Sequence, residues 1–140
     1  MKELNADICI IGGGAAGLSM AAGAAQMGAK TVLFEAGKMG GDCLNYGCIP
    51  SKTLIANAKT AFQASDSRKQ GVLTSKKPDI NFEEIKQDIS NVINKIAPHD
   101  SKERFEALGV GVFEESAWFT GRRQISSDTV KVNFRYAVIA

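Results

Sequence analysis

Apolar and polar positions fall into three patterns along the chain, and each predicts a different element. Asp7-Ile8-Cys9-Ile10-Ile11 is a short, almost continuous apolar run that ends in glycines, the pattern of a strand buried on both faces. From Ala15 to about Met27 the residues are small or apolar and none is charged, which predicts a helix buried all round. Gly28 ends that helix, and Lys30-Thr31-Val32-Leu33-Phe34-Glu35 reads as a second strand. Farther on, Phe82, Ile85, Ile89, Val92 and Ile96 recur with alternating spacings of three and four, a single stripe on an amphipathic helix that Asn81 could cap. Pro98 breaks it, and a second helical piece is expected from Asp100 to Leu108, closed by Gly109.

The last third changes to a strand pattern. Val110 to Phe113 and Ala117 to Thr120 read as strands. Arg123-Gln124-Ile125-Ser126 and Thr129 to Phe134 alternate around Ser127-Asp128 as a hairpin, and Tyr136 to Ala140 is expected to be one more buried strand. Between these regions, a helix through Thr53 to Ala58 is expected to reach about Phe62. Residues 64–79, with Gly71, the Lys76-Lys77 pair and Pro78, are expected to form an exposed loop or short broken helix. The order strand, helix, strand, helices, strands predicts an α/β fold, Rossmann-like, with a parallel sheet and a C-terminal antiparallel meander. At 140 residues the chain is one domain or part of one.

Composition narrows the function classes. The formal net charge of +2 offers no argument for nucleic-acid or membrane binding. No apolar run approaches the roughly 18 residues of a membrane span. The start, Met1-Lys2-Glu3-Leu4-Asn5-Ala6-Asp7, lacks the basic-then-apolar order of a secretory signal, so a cytoplasmic location is expected.

Chemistry enters with Gly12-Gly13-Gly14-Ala15-Ala16-Gly17, which matches G-x-G-x-x-G immediately after the first strand. Gly12 permits a tight turn, Gly14 lets backbone approach a pyrophosphate, and Gly17 lets helix pack on strand. The amides that open the helix, with its dipole, favour phosphate. Glu35 falls at the end of the second strand, near the spacing of about 20 residues expected for an acid on a ribose hydroxyl. The motif alone is weak, since glycines at a plain turn would look the same. Strand, glycines, uncharged helix, strand and acid in order point to a dinucleotide.

The most unusual stretch is Gly40-Gly41-Asp42-Cys43-Leu44-Asn45-Tyr46-Gly47-Cys48-Ile49-Pro50-Ser51-Lys52. Disulfide Cα atoms lie roughly 4.4–6.8 Å apart, whereas five residues of regular helix advance about 7.5 Å. A Cys43–Cys48 disulfide therefore requires the backbone through Asn45, Tyr46 and Gly47 to tighten or bend. Pro50 agrees, because inside a helix its ring would meet the carbonyl of Tyr46. On a helix beginning near Cys48, Lys52 shares a face with that thiol, and dipole and ammonium would both favour a thiolate. Two sulfurs with no third Cys or nearby His do not make a zinc site, so no metal is expected. Two unrelated free thiols remain as the bland alternative to a redox pair. Cys9 reads as an inert core thiol, and His99, the single histidine, as a surface or capping residue.

The glycine motif, Glu35 and the Cys43–Lys52 stretch together resemble the class I pyridine nucleotide–disulfide oxidoreductases, such as dihydrolipoamide dehydrogenase and mercuric reductase. The resemblance covers essentially all of residues 1–140 as the first part of the family's FAD domain, with the NAD(P)H and dimer-interface domains absent. It implies a bound FAD, with Gly12, Gly14, Ala15, Ala16 and Gly17 at the pyrophosphate and Glu35 on the adenosine ribose. Gly41, Asp42, Cys43, Cys48 and Lys52 would also lie along the cofactor, and Ala117 would meet the adenine through its backbone. Cys48 would be the charge-transfer thiol, Cys43 the interchange thiol, and Lys52 a neighbour of the flavin's reactive nitrogen.

The family usually has Thr where this chain has Asp42. A carboxylate beside a pyrophosphate is repelled, so Asp42 is expected to cap the bent helix rather than touch the flavin. The resemblance also implies NAD(P)H as co-substrate, a small thiol, disulfide or Hg(II) as substrate, and a homodimer in the parent protein. In the family the helix of the apolar stripe joins the dimer interface, while core packing would explain the same stripe. The residues past Ala140 would carry the rest of the machinery, so the 140 residues alone are expected not to turn over. The alternative is a stand-alone nucleotide- or flavin-binding module whose cysteines act as a redox switch.

Overall fold

The computed structural model describes residues 1–66 and 78–140. Strand β1 (Lys2–Ile11) leads through the glycine turn into α1 (Ala15–Gln26) and β2 (Thr31–Phe34). Two helices follow, α2 (Gly41–Asn45) and α3 (Cys48–Asp66), then α4 (Phe82–Ile96), a 3-10 turn (Ala97–Asp100) and α5 (Lys102–Ala107). The chain returns to the sheet with β3 (Gly111–Phe113), β4 (Trp118–Gly121), β5 (Gln124–Ser126) and β6 (Val130–Ile139). The order across the sheet is β3-β2-β1-β6-β5-β4. Strands β3, β2, β1 and β6 run parallel, and β5 and β4 continue antiparallel beyond β6.

Period-two alternation in β1 and β2 divides the core between the two faces of the sheet. Cys9, Val32 and Phe34 join Ile125, Val130, Val132 and Phe134 on one side. Ile10 and Leu33 meet Leu18 and Ala21 of α1 and Phe105 of α5 on the other. Cys9 is fully buried, and desolvation pushes its thiol up to about 12, so it stays protonated in the core.

Several boundaries differ from the sequence expectation, each for a physical reason. Strand β1 starts five residues early, because the mostly polar Lys2–Asn5 pair with Val130–Asn133 of β6, with Leu4 alone packed against the core. Tyr136–Ala140 is no separate buried strand. It continues β6 beside Ile8–Ile11, and Tyr136 and Ile139 are exposed at that end. Helix α1 is buried on one edge only, at Gly17, Leu18, Ala21 and Ala24, because only that edge meets the sheet. Helix α3 extends to Asp66, past the expected end at Phe62, so residues 64–66 are helical. The expected loop positions Gly71, Lys76 and Lys77 lie outside the described residues. Asn81 caps α4 by accepting from the amides of Glu83 and Glu84. The second helical piece is split, a 3-10 turn to Asp100 followed by α5, whose cap is Ser101.

Candidate functional site: the glycine turn and the Cys43–Cys48 pair

The glycine turn lies at the C-terminal ends of β1, β2 and β6, where ligands of open α/β sheets bind. Its shape is locked from three sides. The Gly12 amide donates to Phe34 O at 2.8 Å, and the Ala140 amide donates to Ile11 O at 2.9 Å. Glu35 closes the third side: Oε2 accepts from the Gly13 amide at 2.5 Å and Oε1 from the Gly37 amide at 2.6 Å. The acid expected on a ribose thus first braces the loop. Each oxygen has a second lone pair, so these bonds leave room for a further donor.

The motif's glycines are not equivalent. A Cβ on Gly17 would lie 1.8 Å from the Gly12 carbonyl oxygen, so the chain's own backbone excludes a side chain there. A Cβ on Gly14, the N-cap of α1, would meet nothing closer than the Cα of Gly41 at 3.9 Å. Internal packing therefore does not explain glycine at 14. An open face over the first turn of α1 does, and no side chain caps that turn's amides. Gly14, Ala15 and Ala16 thus present an open, uncapped helix start with room for an anionic group.

The cysteine stretch is seated directly on this turn. Gly41 has a positive φ of 56°, and a Cβ on it would come within 2.7 Å of Gly14 Cα. The Gly40 amide donates to Gly13 O at 2.9 Å, and the Asn45 side-chain amide ties back to Met39 O and Gly41 O. Helix α2 then stops at Asn45 and α3 restarts at Cys48. The single kinked helix start of the sequence reading is in fact two helices. Gly47 makes the corner, since a Cβ there would sit 2.9 Å from Asp42 O and 3.6 Å from Cys43 Cα. Pro50 falls in the first turn of α3, where its missing amide costs no helical bond.

Cys43 and Cys48 are both free thiols, Cys43 half-buried and Cys48 exposed. A hydrogen bond with Cys48 is the largest influence raising the Cys43 thiol above its ordinary value, aided by desolvation, and the Lys52 ammonium pulls the other way. The structure thus brings Cys43, Cys48 and Lys52 together. Asp42 is exposed and does not cap α2: the cap position is Gly40, and Asp42 lies in the first turn. The reason is the sharp turn at Gly40-Gly41, which starts the helix before Asp42 is reached. In the first turn the carboxylate still complements the helix dipole.

Ala117 is half-buried against the Cys9–Phe34 cluster, just before β4 and away from the thiols. His99 is exposed, and its carbonyl accepts from Arg104 Nη1 at 2.5 Å. Among the described residues no cluster of His, Cys, Asp or Glu could hold a metal ion, and no helix is long and apolar enough to cross a membrane.

A family model for pyridine nucleotide-disulphide oxidoreductases matches residues 6–140. The chain belongs to that family.

Among curated relatives, a dihydrolipoyl dehydrogenase of Buchnera aphidicola subsp. Acyrthosiphon pisum is 36% identical over 144 residues, covering 99% of this chain and 30% of the relative. The dihydrolipoyl dehydrogenase of Bacillus subtilis is 42% identical over 91 residues, or 65% of this chain and 19% of that enzyme. The chain therefore spans about a third or less of the length of these relatives. Its fold is similar to that of a HOCl-induced flavoprotein disulfide reductase from Escherichia coli, solved as a Cu(II) complex. The TM-score is 0.75 at 23% identity, over 95% of this chain and 27% of that one.

The bend expected through Asn45, Tyr46 and Gly47 falls at Gly47, and the residues that sequence reasoning passed over are Asp100 and Arg104. Neither carried a signal, since only folding brings the 3-10 turn and α5 beside Cys43. They line one cavity with it, together with Ala15, Ser19 and Gly40.

Proposed function

We propose that residues 1–140 form the FAD-binding, thiol-bearing part of an FAD-dependent NAD(P)H:disulfide oxidoreductase similar to the dihydrolipoyl dehydrogenases. The observation that carries this is the close approach of Gly41 to Gly14, which seats the cysteine helices on the glycine turn. A dinucleotide laid along that turn would lie beside the helices that carry the thiols. In this reading Gly12, Gly14, Ala15, Ala16 and Gly17 hold the pyrophosphate, Glu35 takes the ribose on its remaining lone pairs, and Ala117 borders the adenine. A flavin held there would supply two-electron transfer, and Cys43 and Cys48 would take up the pair with two protons as a disulfide between them opens to two thiols. Gly47 keeps the two sulfurs paired through both states, Lys52 favours the thiolate form, and Cys43 exchanges with substrate.

The names of the relatives favour a thiol–disulfide substrate over Hg(II). The half-buried stripe Ile85, Ile89, Val92 and Ile96 supports a homodimer of the parent. The 140 residues hold one glycine fingerprint, taken by FAD in this reading, so alone they are expected not to oxidise NAD(P)H. The test is reconstitution of the purified chain with FAD, followed by its visible spectrum after desalting. Retained yellow colour with no steady NAD(P)H oxidation is expected. A colourless chain that binds NAD instead would sink the proposal, and steady NAD(P)H turnover would overturn its last part.

A further inference from the structure

Cys43 forms part of the wall of a cavity of about 330 Å³ between α1, α2 and the turn into α5. That volume lies at the small end of ligand pockets, enough for a compact head group. Two charged side chains of opposite sign share its lining, Asp100 from the 3-10 turn and Arg104 from α5. Asp100 Oδ2 sits over the start of α2, 3.2 Å from where a Cβ on Gly40 would stand. No ion pair engages Asp100 or Arg104 among the described residues. Arg104 uses one N–H on the His99 carbonyl and rests over the Phe105 ring, 5.3 Å from its centroid. Phe105 is buried, so the guanidinium stands on a fixed base with four of its five donors still available.

We propose that Asp100 and Arg104 are specificity-determining residues that recognise a zwitterionic, amino-acid-like head group on the thiol or disulfide exchanging with Cys43. This rests on the reading of Cys43 as the interchange thiol and names its substrate class. Arg104 takes the carboxylate, with the planar fork that suits it. Asp100 takes the ammonium. An anion alone is repelled by Asp100 and a cation alone by Arg104, so the pair discriminates against both. A neutral substrate leaves both charges without a partner.

The exchange itself balances without cofactor. The Cys43 thiolate attacks one sulfur of R–S–S–R, forming Cys43–S–S–R and releasing R–S⁻. The Cys48 thiolate then attacks the Cys43 sulfur, forming the Cys43–Cys48 disulfide and releasing the second R–S⁻. The two protons lost by the cysteines end on the two product thiols. The incoming disulfide is the oxidant and is reduced.

The test uses the reduced 140-residue chain and two probes, cystine and the neutral bis(2-hydroxyethyl) disulfide. The rate of Cys43–Cys48 disulfide formation is followed by mass, and the readout is the cystine-to-neutral rate ratio. Charge-assisted contacts at a partly exposed site predict that Arg104→Gln lowers this ratio about threefold to tenfold. Asp100→Asn lowers it less, and Arg104→Lys retains part of it. Because each variant is its own reference through the neutral probe, a general loosening of the turn moves both rates and leaves the ratio alone. An unchanged ratio in both Arg104→Gln and Asp100→Asn overturns the proposal. FAD retention plays no part in this readout, so its outcome is separable from that of the cofactor assignment.

Discussion

The two ends of the glycine turn face very different surroundings. On the sheet side, β1 and α1 meet at the Gly12–Gly17 backbone contact, which tolerates no added atom, and the core residues Ile10, Leu33 and Ala21 are fully buried. On the helical side, α3 and α4 contain no buried residue at all. Leu54, Ile55, Phe62 and Phe82 are exposed there, and the stripe of α4 is half-buried against α3. A segment with little buried apolar area opens at lower free energy than a core strand. The thiol pair sits at the boundary, with α2 anchored to the rigid turn and α3 leading into the looser layer. One side therefore supplies position, and the other is where the molecule can yield.

The sharpest way to break that contrast is to make one substitution in each half. Gly17→Ala forces a Cβ against the Gly12 carbonyl, and a loss of about 3 kcal/mol, or no folded chain, is expected from such overpacking. Ile89→Ala in the helical layer removes half-buried surface only, at a cost of about 1 kcal/mol. Urea midpoints with the slope checked for two-state behaviour make the comparison. Equal losses would mean that the helical layer is as firmly built as the sheet. Gly23→Ala, in the same helix as Gly17, meets nothing within 4 Å and is expected to stabilise by about 0.5–1 kcal/mol.

A smaller effect separates architecture from ligand. Gly14→Ala has room within the chain, so it is expected to cost under about 1 kcal/mol of stability, as for Gly against Ala at an N-cap. The open face over α1 is another matter. If a pyrophosphate lies there, the added methyl weakens FAD binding by about tenfold or more, near 1.4 kcal/mol. Titration of flavin fluorescence against the variant measures it. Undiminished affinity would detach Gly14 from the cofactor.

Much of this division was legible in the sequence, and the failures mark where local pattern loses its hold. Cys9, Ile10 and Val32–Phe34 are buried, and the glycines follow the first run at once, so composition alone identified these segments. Lys2–Asn5 belong to β1 through pairing with β6, and nothing in their polarity signals a partner more than a hundred residues away. Tyr136 and Ile139 are apolar yet exposed, so the rule that apolar means inside misread them. In the site, Cys43, Cys48 and Lys52 share a local segment and were found together. Asp100 and Arg104 reach Cys43 only through tertiary packing, which periodicity does not encode. Asp42 missed the cap because two glycines turn the backbone before it, a choice made by the contact of Gly41 with Gly14.

At the boundary itself, the thiols offer a pH measurement. The hydrogen bond that the Cys43 thiol makes with Cys48 is the largest influence holding the Cys43 pKa above its ordinary value. A raised pKa means less thiolate at neutral pH, so alkylation of Cys43 is expected to set in only as pH climbs past the usual thiol range. Cys48→Ala removes that influence and is expected to move the onset down, while Lys52→Gln moves it up. Iodoacetamide labelling read by peptide mass at a series of pH values follows both. Coincident profiles for Cys48→Ala and the unaltered chain would mean that the two thiols do not communicate.

The smallest expected effect tests whether the sheet side is uniformly firm. Glu115, between β3 and β4, accepts at Oε1 from the Thr129 hydroxyl at 2.5 Å and at Oε2 from the Thr129 amide at 3.3 Å. Hydrogen bonds from Ser127 first, then from Thr129, hold its carboxyl below the ordinary 4.5. These bonds favour the ionised form, so the folded chain binds this proton less readily than the unfolded one. Their contribution is therefore complete above pH 4.5 and is lost as pH falls through the lower folded value. Glu115 is exposed to water, which screens such a contact and keeps the effect modest. Thr129→Val removes the hydroxyl but keeps the β-branched shape, and it is expected to flatten the acid limb of stability while changing little once the carboxyl is protonated in the folded chain. Urea midpoints taken between pH 3 and pH 7 supply the curve. A constant difference between variant and parent across that range would show that Thr129 acts by packing, and that the hairpin is held as firmly as the strands beside it.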